Sequence, residues 1–562
     1  MYEGLLARRI IALFNLTITE AEIMSLIEQP KFQSQGDLAF PCFRLAKLLK
    51  QSPNQIALKL SKEIQEASFE SVEASGPYLN VFLNKKLVSN SVLTNILLNR
   101  SAYGAHQFGN NKTFVIDFSS PNIAKPFSMG HLRSTVIGNS LAKIAEKCGY
   151  KVVKINYLGD WGTQFGKLIC AYKRWGDEQQ VREAPIKNLL NLYVKFHKEA
   201  EADSQLDDQG REWFKKLEDN DSEATVLWQW FRKESLHAFN HVYNLLNVSF
   251  DSFNGEAFYN DKMAETIRWL KAKGLVVESA GAEVVRLDES ALPPCLLKKK
   301  DGATLYATRD ITAARDRYHN YQFSKAVYVV GHEQSLHFNQ VFTVLAKAGV
   351  NWAQKMEHVP FGFILKDGKK MSTRKGKVVL LEDVINDAIK LAEHNINVKN
   401  PSLPNKQQVA HQVGIGAMIF HDLKHYRLHN VEFSLDEMLR FEGTTGPYVQ
   451  YTHARAQSII TKAELLSEDG FMQGLCDTWS WPVIKHLTAF PDKVESAFHE
   501  NDPSQIARYL ISLSQAFNKY YANVKVLTAD DQLGARIALV NAVTIVLQEG
   551  LRLLGIAAPD KM

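Results

Sequence analysis

The chain has 562 residues, of which 45% are hydrophobic and 23% are charged. These values are average for globular proteins and exclude a fibrous or largely disordered chain, and the length predicts about three to five domains. The formal net charge of +5 neither requires nor excludes a polyanionic partner.

Cysteine usage and hydropathy indicate the compartment. The cysteines are scattered with no C-x-x-C pair, so neither a disulfide framework nor a structural zinc is expected. The apolar run Ile10–Phe14 is too short and too polar in its context for a signal peptide. The late apolar stretch Ile537–Ala558 is interrupted by polar residues, which predicts a core helix and no membrane contact. We therefore predict a cytoplasmic protein.

The first hundred residues alternate between helical and strand patterns. Apolar spacing over Asp37–Glu66 breaks at Ser52-Pro53-Asn54, which predicts two helices, the second beginning near Asn54. A strand is predicted at Tyr78–Leu83. Turn residues around Gly109-Asn110-Asn111 predict the first domain boundary.

A β-α-β unit follows this boundary. The apolar run TFVIDF from Thr113 predicts a buried strand, and a helix-period run over Leu132–Lys147 is closed by Gly149. A second strand is predicted at Lys151–Tyr157. The pattern is typical of a helix packed on a parallel sheet.

The rest of the chain is mainly helical. A helical insertion is predicted over about residues 170–250, and the run AVYVV predicts that the sheet resumes with Lys325–Val330. Beyond Pro404 the pattern is almost wholly helical.

The first motif with chemical content is SSPNIAKPFSMGHLRST, Ser119–Thr135, between the first strand and its helix. An open α/β sheet binds nucleotides at this loop, because the helix presents free N–H groups and its positive dipole end to phosphate. Gly130 allows close backbone approach, His131 can donate to an oxyanion, and Lys125 adds a positive charge. A Gly-His pair in isolation is more typical of packing and capping.

The second motif is DGKKMSTRKGKVV, Asp367–Val379, with four lysines, one arginine and a glycine within nine residues. Such a cationic loop can clamp a transferring phosphate and stabilise a leaving pyrophosphate. A charge run alone is more often a solvated surface turn. Together, the two motifs match the two-part signature of class I aminoacyl-tRNA synthetases, which the chain resembles.

The resemblance extends to the arginyl-tRNA synthetase family over nearly the whole chain. GDLAFPCFRLAK resembles that family's additional N-terminal domain, and AFNKYYANVKV its helical anticodon-binding domain. Six strings match the family pattern in order: SSPNIAKPFSMGHLRST, NYLGDWGTQFG, YATRDITAARDR, HEQSLHFNQVF, KMSTRKG and FEGTTGPYVQYTHAR.

The resemblance implies a doubly wound parallel-sheet (Rossmann-like) α/β catalytic domain with a helical insertion. A small α+β N-terminal domain precedes it and an all-α anticodon-binding bundle follows. The expected boundaries are 1–110, 111–395 and 396–562.

The implied activity joins L-arginine to tRNA(Arg) through an arginyl-adenylate. A guanidinium favours carboxylates, and Asp117 and Asp310 are expected at strand or loop ends where a pocket would lie. By resemblance, Asn122 and Gln334 hold the α-amino group. Four further residues complete the site or lie near it, and the expected arginine-binding set is Asp117, Asn122, Glu256, Tyr306, Asp310 and Gln334.

For ATP, the resemblance assigns Lys125, His131 and Lys370 catalytic roles at the phosphates and places His332 near the adenosine. Ser128 stands where the family signature usually has histidine, so a hydroxyl or water must replace that imidazole. Magnesium is expected on the phosphates, without an identifiable protein ligand. The implied ATP-binding residues are Lys125, Ser128, Gly130, His131, His332, Lys370, Met371 and Ser372.

The C-terminal region interleaves aromatic and basic side chains, a composition that suits an anticodon loop. Residue by residue, the solvated face of an amphipathic helix explains it equally well. Tyr451 and Arg455 are the residues assigned to tRNA contact. The positions expected on helices are His421, Lys424, Arg427, Tyr451 and Arg455.

Two alternatives differ from this interpretation. Another class I synthetase, such as the cysteinyl type, would be expected to use zinc ligands that the scattered cysteines do not supply. A catalytically silent RNA-binding relative would have no reason to keep Lys125, Gly130, His131, Asp310 and Lys370 together.

Overall fold

A computed structural model describes residues 2–123, 125, 127–203, 205–300, 304–371, 373–374, 377–463 and 474–562. The chain forms two compact units, each built from separate segments. The first contains Met1–Tyr103, Arg455–Phe490 and Ser512–Leu547, and the second Gly104–Ala454, Pro491–Ile511 and Gln548–Met562.

The first unit begins with a three-stranded antiparallel sheet whose central strand, Tyr78–Leu83, confirms the predicted strand. Its outer strands are Leu38–Pro41 and Phe69–Ser75. The helix predicted from Asp37 is wrong at its start, because the short apolar run there pairs with the central strand instead. The helices of this segment are Tyr2–Phe14, Glu20–Met24, Phe43–Leu49, Pro53–Glu63 and Lys85–Asn99.

Helical segments from late in the chain complete the first unit. The buried Trp481 donates its indole N–H to Asp37 Oδ1 at 2.9 Å, and the Tyr103 hydroxyl donates to the Leu487 carbonyl at 2.9 Å. The helices that contribute to this part are Gly446–Ala463, Ser480–His499, Ser504–Asn523 and Leu533–Leu553.

The second unit is built on a four-stranded parallel sheet. In spatial order its strands are Met356–Phe361, Lys325–Gly331, Thr113–Asp117 and Lys151–Ile155. All three strands predicted from apolar runs are confirmed. The strand order reverses direction between Thr113–Asp117 and Lys325–Gly331, which is the topological switch point where doubly wound sheets bind ligands.

The helix Leu132–Lys147 confirms the predicted crossover, and Gly149 follows it with a φ of +85°. This helix is buried on nearly all sides, because C-terminal residues cover the face turned away from the sheet. Ser140 Oγ donates to the Leu553 carbonyl at 2.9 Å, and Lys147 Nζ lies 2.9 Å from Glu549 Oε1 in a buried ion pair.

The predicted helical insertion is also confirmed, but its first helix begins at Thr163. An apolar core lies on the other side of the sheet, around Leu345 and Phe323. The helices of the insertion are Thr163–Trp175, Glu178–Glu183, Pro185–Ala200, Gln205–Glu218 and Ser222–Leu245. Later helices are Met263–Ala272, Tyr306–Tyr321, Ser335–Lys347, Leu381–Lys399, Lys406–Leu423 and Leu435–Met438.

Short strands complete the second unit. One antiparallel sheet contains Val276–Ser279, Ala282–Val285 and Cys295–Lys298. Another joins Ile364–Lys366 to both Lys369–Lys370 and Val431–Glu432, and a hairpin pairs Thr373–Arg374 with Lys377–Val378.

Among the described residues, one helix, Leu533–Leu553, is long and apolar enough to cross a membrane. Of its most apolar window, 72% is buried inside the structure, as expected for the core helix that the sequence predicted.

Candidate active site

The switch point of the sheet opens into a cavity of about 350 Å³. It is lined by both predicted motifs, which lie 240 residues apart in the sequence. Gly331 and Phe361, at the ends of two neighbouring strands, line it as well. The motif residues that line it are Ser119, Ser120, Ser128, Gly130, His131, Arg133, Ser134, Lys370 and Met371.

The chain leaves the first strand through two residues in the left-handed region, Ser119 with φ +73° and Ser120 with φ +48°. Such a backbone is costly for residues with a side chain and is held only by its surroundings. The Ser119 N–H donates to Ser134 Oγ at 2.8 Å, and Ser134 Oγ donates to the Val329 carbonyl at 2.7 Å. The first turn of the signature helix thereby fixes the loop to the neighbouring strand.

His131 ends a short 3₁₀ turn, Met129–His131, that leads into the helix. The Ser128 backbone N–H donates to His131 Nδ1 at 3.1 Å, so Nδ1 is an acceptor and the proton of the neutral ring is on Nε2. The pKa of His131 is lowered to about 4, mainly by burial, with a smaller contribution from the charge of Lys125 and an opposing one from the Ser128 backbone. At neutral pH His131 is therefore an uncharged donor.

Gly130 is exposed, and its protein neighbours do not explain why this residue is a glycine. A Cβ at this position would meet a single neighbouring atom, Ser128 Oγ, at 3.5 Å, an ordinary contact. Protein packing therefore does not require glycine here.

The cationic loop contributes Lys370 and Met371 to the same cavity. Lys370 is exposed, and its Nζ lies 3.4 Å from the centroid of the Phe363 ring. Met371 is buried, and its N–H donates to the Ile364 carbonyl at 3.0 Å. Ser372, which was assigned to ATP, lies outside the described residues.

Hydrogen bonds join the far end of this loop to the first motif. Met129 N–H donates to the Val379 carbonyl at 3.1 Å, and Leu381 N–H donates to the Phe127 carbonyl at 2.9 Å. The sequence gives no signal for this link, because it joins backbone groups across a long separation.

Lys125 and His332 lie outside the set that lines the cavity, as far as the structure is described. The Lys125 side chain is exposed, although its charge is close enough to affect His131. His332 Nδ1 lies 3.2 Å from the Phe361 carbonyl oxygen, and its ring centroid lies 4.7 Å from that of Phe363.

Two of the three expected arginine-binding carboxylates, Asp310 and Glu256, lie on helices. Asp310 is on the helix Tyr306–Tyr321, so its predicted place at a strand or loop end is wrong: the YATRD segment begins a helix. Asp310 Oδ2 is 2.5 Å from His337 Nε2. Tyr306 is the first residue of the helix and is 65% exposed.

Glu256 begins the 3₁₀ helix Glu256–Lys262 and lies 3.9 Å from Arg309 Nη1. Burial raises the pKa of Glu256 to about 7. The positive charge of Arg309 opposes this rise, and the negative charge of Asp310 adds to it. The structure thus brings the two carboxylates close enough to interact.

Asp117 already has a partner within the protein. Its Oδ2 lies 2.7 Å from Arg317 Nη1, and its Oδ1 accepts a hydrogen bond from Ser120 Oγ at 3.0 Å. The position of Asp117 at the end of the first strand was predicted correctly, whereas Arg317 was missed.

Asn122 packs against the NYLGDWG turn. It forms an isolated parallel bridge with Gly159, and a Cβ on Gly159 would lie 1.9 Å from Asn122 Oδ1. Only glycine fits opposite this side chain. Gln334 is exposed and precedes the helix Ser335–Lys347.

The buried Asp160 in the same turn holds neighbouring segments together. It accepts hydrogen bonds at 2.8 Å from Arg232 Nε and from the Ala257 N–H, so it connects the insertion to the segment that carries Glu256.

Sequence reasoning missed a hydroxyl cluster behind the signature. The buried Tyr243 hydroxyl lies 2.8 Å from both Ser119 Oγ and Asn156 Nδ2. It also missed the buried ion pair of Arg133 Nε with Asp422 Oδ2, at 2.9 Å. Neither pattern is periodic, so neither could be found from sequence spacing.

Among the C-terminal positions that were expected on helices, the prediction is wrong for Arg427. It lies in a turn after the helix Lys406–Leu423, which contains His421, and Lys424 caps that helix. Tyr451 and Arg455 are on the helix Gly446–Ala463. Arg455 Nη1 donates to Asn518 Oδ1 at 2.6 Å. Tyr451 is 38% exposed.

Comparison with protein families agrees with this geometry. Residues 92–435 match the model described as tRNA synthetases class I (R), catalytic domain. Residues 2–83 match the arginyl tRNA synthetase N terminal domain, and residues 449–562 match the DALR anticodon binding domain. The second unit thus contains the catalytic domain of a class I aminoacyl-tRNA synthetase, a ligase that uses ATP.

Individual relatives identify the branch of this class. The chain is 57% identical over 561 residues to arginine–tRNA ligase 2 of Bacillus anthracis, covering 100% of both chains. It is 55% identical over 558 residues to the arginine–tRNA ligase of Enterococcus faecalis, covering 99% of both. The solved arginyl-tRNA synthetase of Thermus thermophilus has the same fold, with a TM-score of 0.82 at 24% identity over 99% of each chain. The chain belongs to the arginyl-tRNA synthetase family.

Proposed function

We infer that the chain ligates L-arginine to tRNA(Arg) in two steps. The arginine carboxylate attacks the α-phosphate of ATP and releases pyrophosphate, and the terminal adenosine hydroxyl of the tRNA then takes the acyl group. The observation that carries this inference is the shared cavity, because a neutral histidine donor and a cationic loop both line it. No side-chain nucleophile is needed, so positioning and charge stabilisation supply the catalysis.

At the phosphates, His131 donates through Nε2 while Lys370 and Lys125 provide positive charge. Gly130 leaves room for the nucleotide, and Ser128 holds the His131 ring through its backbone N–H. Met371, Ser372 and His332 complete the proposed ATP-binding set. Magnesium accompanies the ATP phosphates. Within the described residues, no group of three or more His, Cys, Asp or Glu is arranged to hold a metal ion.

At the amino acid, Asp310 and Glu256 pair with the guanidinium and Tyr306 closes over it. The charge of Asp310 raises the pKa of Glu256, so the two carboxylates are close together. This supports the role, because a planar guanidinium can pair with two carboxylates at once. Asn122 and Gln334 hold the α-amino group. Asp117 contributes to the same pocket from its base.

The tRNA contacts involve Tyr451 and Arg455, on a helix that combines aromatic and basic residues. We assign residues 1–110 to the N-terminal domain, 111–395 to the catalytic domain and 396–562 to the anticodon-binding domain. The protein is proposed to act in the cytoplasm, where its tRNA substrate is found.

Two measurements test this function. Arginine-dependent exchange of labelled pyrophosphate into ATP, with and without tRNA, is expected to occur with arginine and not with cysteine. Exchange with another amino acid alone would disprove the assignment.

The second measurement is steady-state aminoacylation by Asp310→Asn. The KM for arginine should rise by an amount consistent with about 3–5 kcal/mol for breaking a buried charge pair, while the KM for ATP changes little. Discrimination against citrulline, which lacks the charge, should fall as well. Asp316→Asn on the same helix is the matched control, because Asp316 pairs with Lys262 at 2.6 Å instead. An unchanged arginine KM in Asp310→Asn would refute the pocket.

A further inference from the structure

An arginine of the protein itself lies beside the proposed arginine pocket. Arg317 is 2% exposed, and its Nη1 lies 2.7 Å from Asp117 Oδ2. Its guanidinium carbon lies 5.1 Å from the Tyr157 ring centroid and 5.4 Å from that of Tyr328. The guanidinium thus has a carboxylate at Nη1 and two aromatic rings as partners, whereas its buried Nε and Nη2 have no hydrogen-bond partner among the described residues.

The position of Arg317 connects two parts of the site. It lies on the helix Tyr306–Tyr321, seven residues after Asp310, so the two side chains project from the same side of the helix about two turns apart. Its partner Asp117 ends the first strand, immediately before the signature loop. The ion pair therefore joins the helix that carries Asp310 to the strand that leads to the ATP motif.

The pair also determines which carboxylates are available to a substrate. Asp117 is 4% exposed and uses both oxygens within the protein. If Asp117 bound the substrate guanidinium directly, Arg317 would lose its counter-charge while buried, which is strongly unfavourable. Asp310 lies beside His337, and Glu256 lies 3.9 Å from Nη1 of the buried Arg309, a longer separation than the 2.7 Å between Asp117 and Arg317.

We propose that Arg317 is a positioning residue for arginine activation: through Asp117 it fixes Asp310 and Tyr306 relative to the ATP motif. It also neutralises Asp117, which leaves the substrate guanidinium to Asp310 and Glu256. The proposal rests on the assignment of Asp310 to the substrate side chain. It changes the role of Asp117 from a direct ligand to a support.

The first test compares Arg317→Lys with Arg315→Gln. Lysine keeps the buried charge but cannot form a planar fork between two rings, so helix and strand should shift while the protein stays folded. We expect the arginine KM of Arg317→Lys to rise about 10–100-fold, the scale of a small misplacement, with the ATP KM within about twofold. Discrimination against citrulline should fall with it. Arg315 is on the same helix but lies over Trp269 at 4.3 Å and pairs with Glu265, so Arg315→Gln should retain the parent arginine KM.

The second test removes the charges singly and together. Asp117→Asn leaves Arg317 without its counter-charge, and Arg317→Gln does the same to Asp117. The double variant removes both charges, so its kcat/KM for arginine should be higher than that of either single variant. Circular dichroism and the ATP KM identify folded variants. If Arg317→Gln does not fold, Arg317→Lys and the double variant decide the question.

The outcomes separate this proposal from the assignment on which it rests. A large rise of the arginine KM in Asp117→Asn, together with an unchanged arginine KM in Arg317→Lys, would show direct binding by Asp117 and overturn the positioning role. The positioning role would also be overturned if the kcat/KM of the double variant for arginine were no higher than that of Asp117→Asn alone. An unchanged arginine KM in Asp310→Asn would instead refute the proposed pocket, whatever the Arg317 variants show.

Discussion

Arginine binding should depend on pH because of Glu256. Burial raises the pKa of this carboxyl to about 7, so part of the free protein holds it protonated near neutrality. The substrate guanidinium remains charged at all relevant pH values and prefers the carboxylate. Binding therefore releases a proton from Glu256, and affinity should increase as the pH rises through 7.

The magnitude follows from the pKa. With a pKa of about 7, roughly one tenth of Glu256 is ionised at pH 6 and nine tenths at pH 8. If only the ionised form binds arginine well, the arginine KM should fall about tenfold between these values and level off above pH 8. His131, with a pKa of about 4, does not titrate in this range.

The assay is aminoacylation at saturating ATP and tRNA, with the arginine KM measured from pH 6 to 8.5. Glu256→Gln should have a raised KM that no longer depends on pH. Glu265→Gln is the matched control, because this side chain is 69% exposed and should leave the profile unchanged. His337→Gln tests whether the imidazole beside Asp310 contributes to the slope.

Two results would refute the reasoning. A flat arginine KM in the parent protein would mean that Glu256 is ionised throughout or does not face the guanidinium. A slope that persists in Glu256→Gln would place the titrating group elsewhere.

Three further outcomes are expected. Lys370→Ala should slow pyrophosphate exchange by roughly 10²–10³, or less if Lys125 compensates, and an unchanged rate in the Lys125, Lys370 double alanine variant would reject both roles. The affinity for tRNA, measured by filter binding, should fall steeply with salt as phosphate contacts release counterions, and a salt-independent affinity would contradict these contacts. Asp422→Asn should lower the thermal midpoint by leaving Arg133 buried and unpaired, at a cost of about 3–5 kcal/mol, whereas a midpoint equal to the parent's would show that the pair is dispensable.

The catalytic sheet could be predicted because its strands carry a strong local signal. A strand buried on both faces is a continuous apolar run, and TFVIDF and AVYVV both have this form. The crossover helix has a 3.6-residue period and a terminal glycine. The strand Leu38–Pro41 was missed because an apolar run as short as Leu38-Ala39-Phe40 has no period of its own, and only pairing with Tyr78–Leu83 makes it a strand.

The candidate site was predictable only in part, because some of its residues are brought together by long-range packing that leaves no local signal in the sequence. Motif residues after a strand were placed at the cavity because sheet topology determines where strand ends meet. The partner of Asp117 was not, since Arg317 lies 200 residues away on a helix whose orientation depends on packing. A charged residue in a helix pattern normally indicates a solvated face, so its burial leaves no trace in the sequence.

Judged from the sequence alone, deleting the chain beyond about Asn400 would test tRNA binding. The fold makes this deletion unsuitable. Residues beyond that point pair with the signature helix, through Lys147 with Glu549 and Arg133 with Asp422. Deleting them would expose buried charges in the catalytic unit. Substitutions at exposed positions are therefore the appropriate way to test the C-terminal region.

The serine in the signature can be understood from the same backbone contacts. Ser128 forms an isolated bridge with Leu380, next to the end of the cationic loop, and its N–H determines the tautomer of His131. Both interactions use main-chain atoms that any residue other than proline provides. Both contacts are therefore available with serine at this position. In the proposed function, the change removes one imidazole donor and leaves His131 Nε2 as the neutral donor at the phosphates.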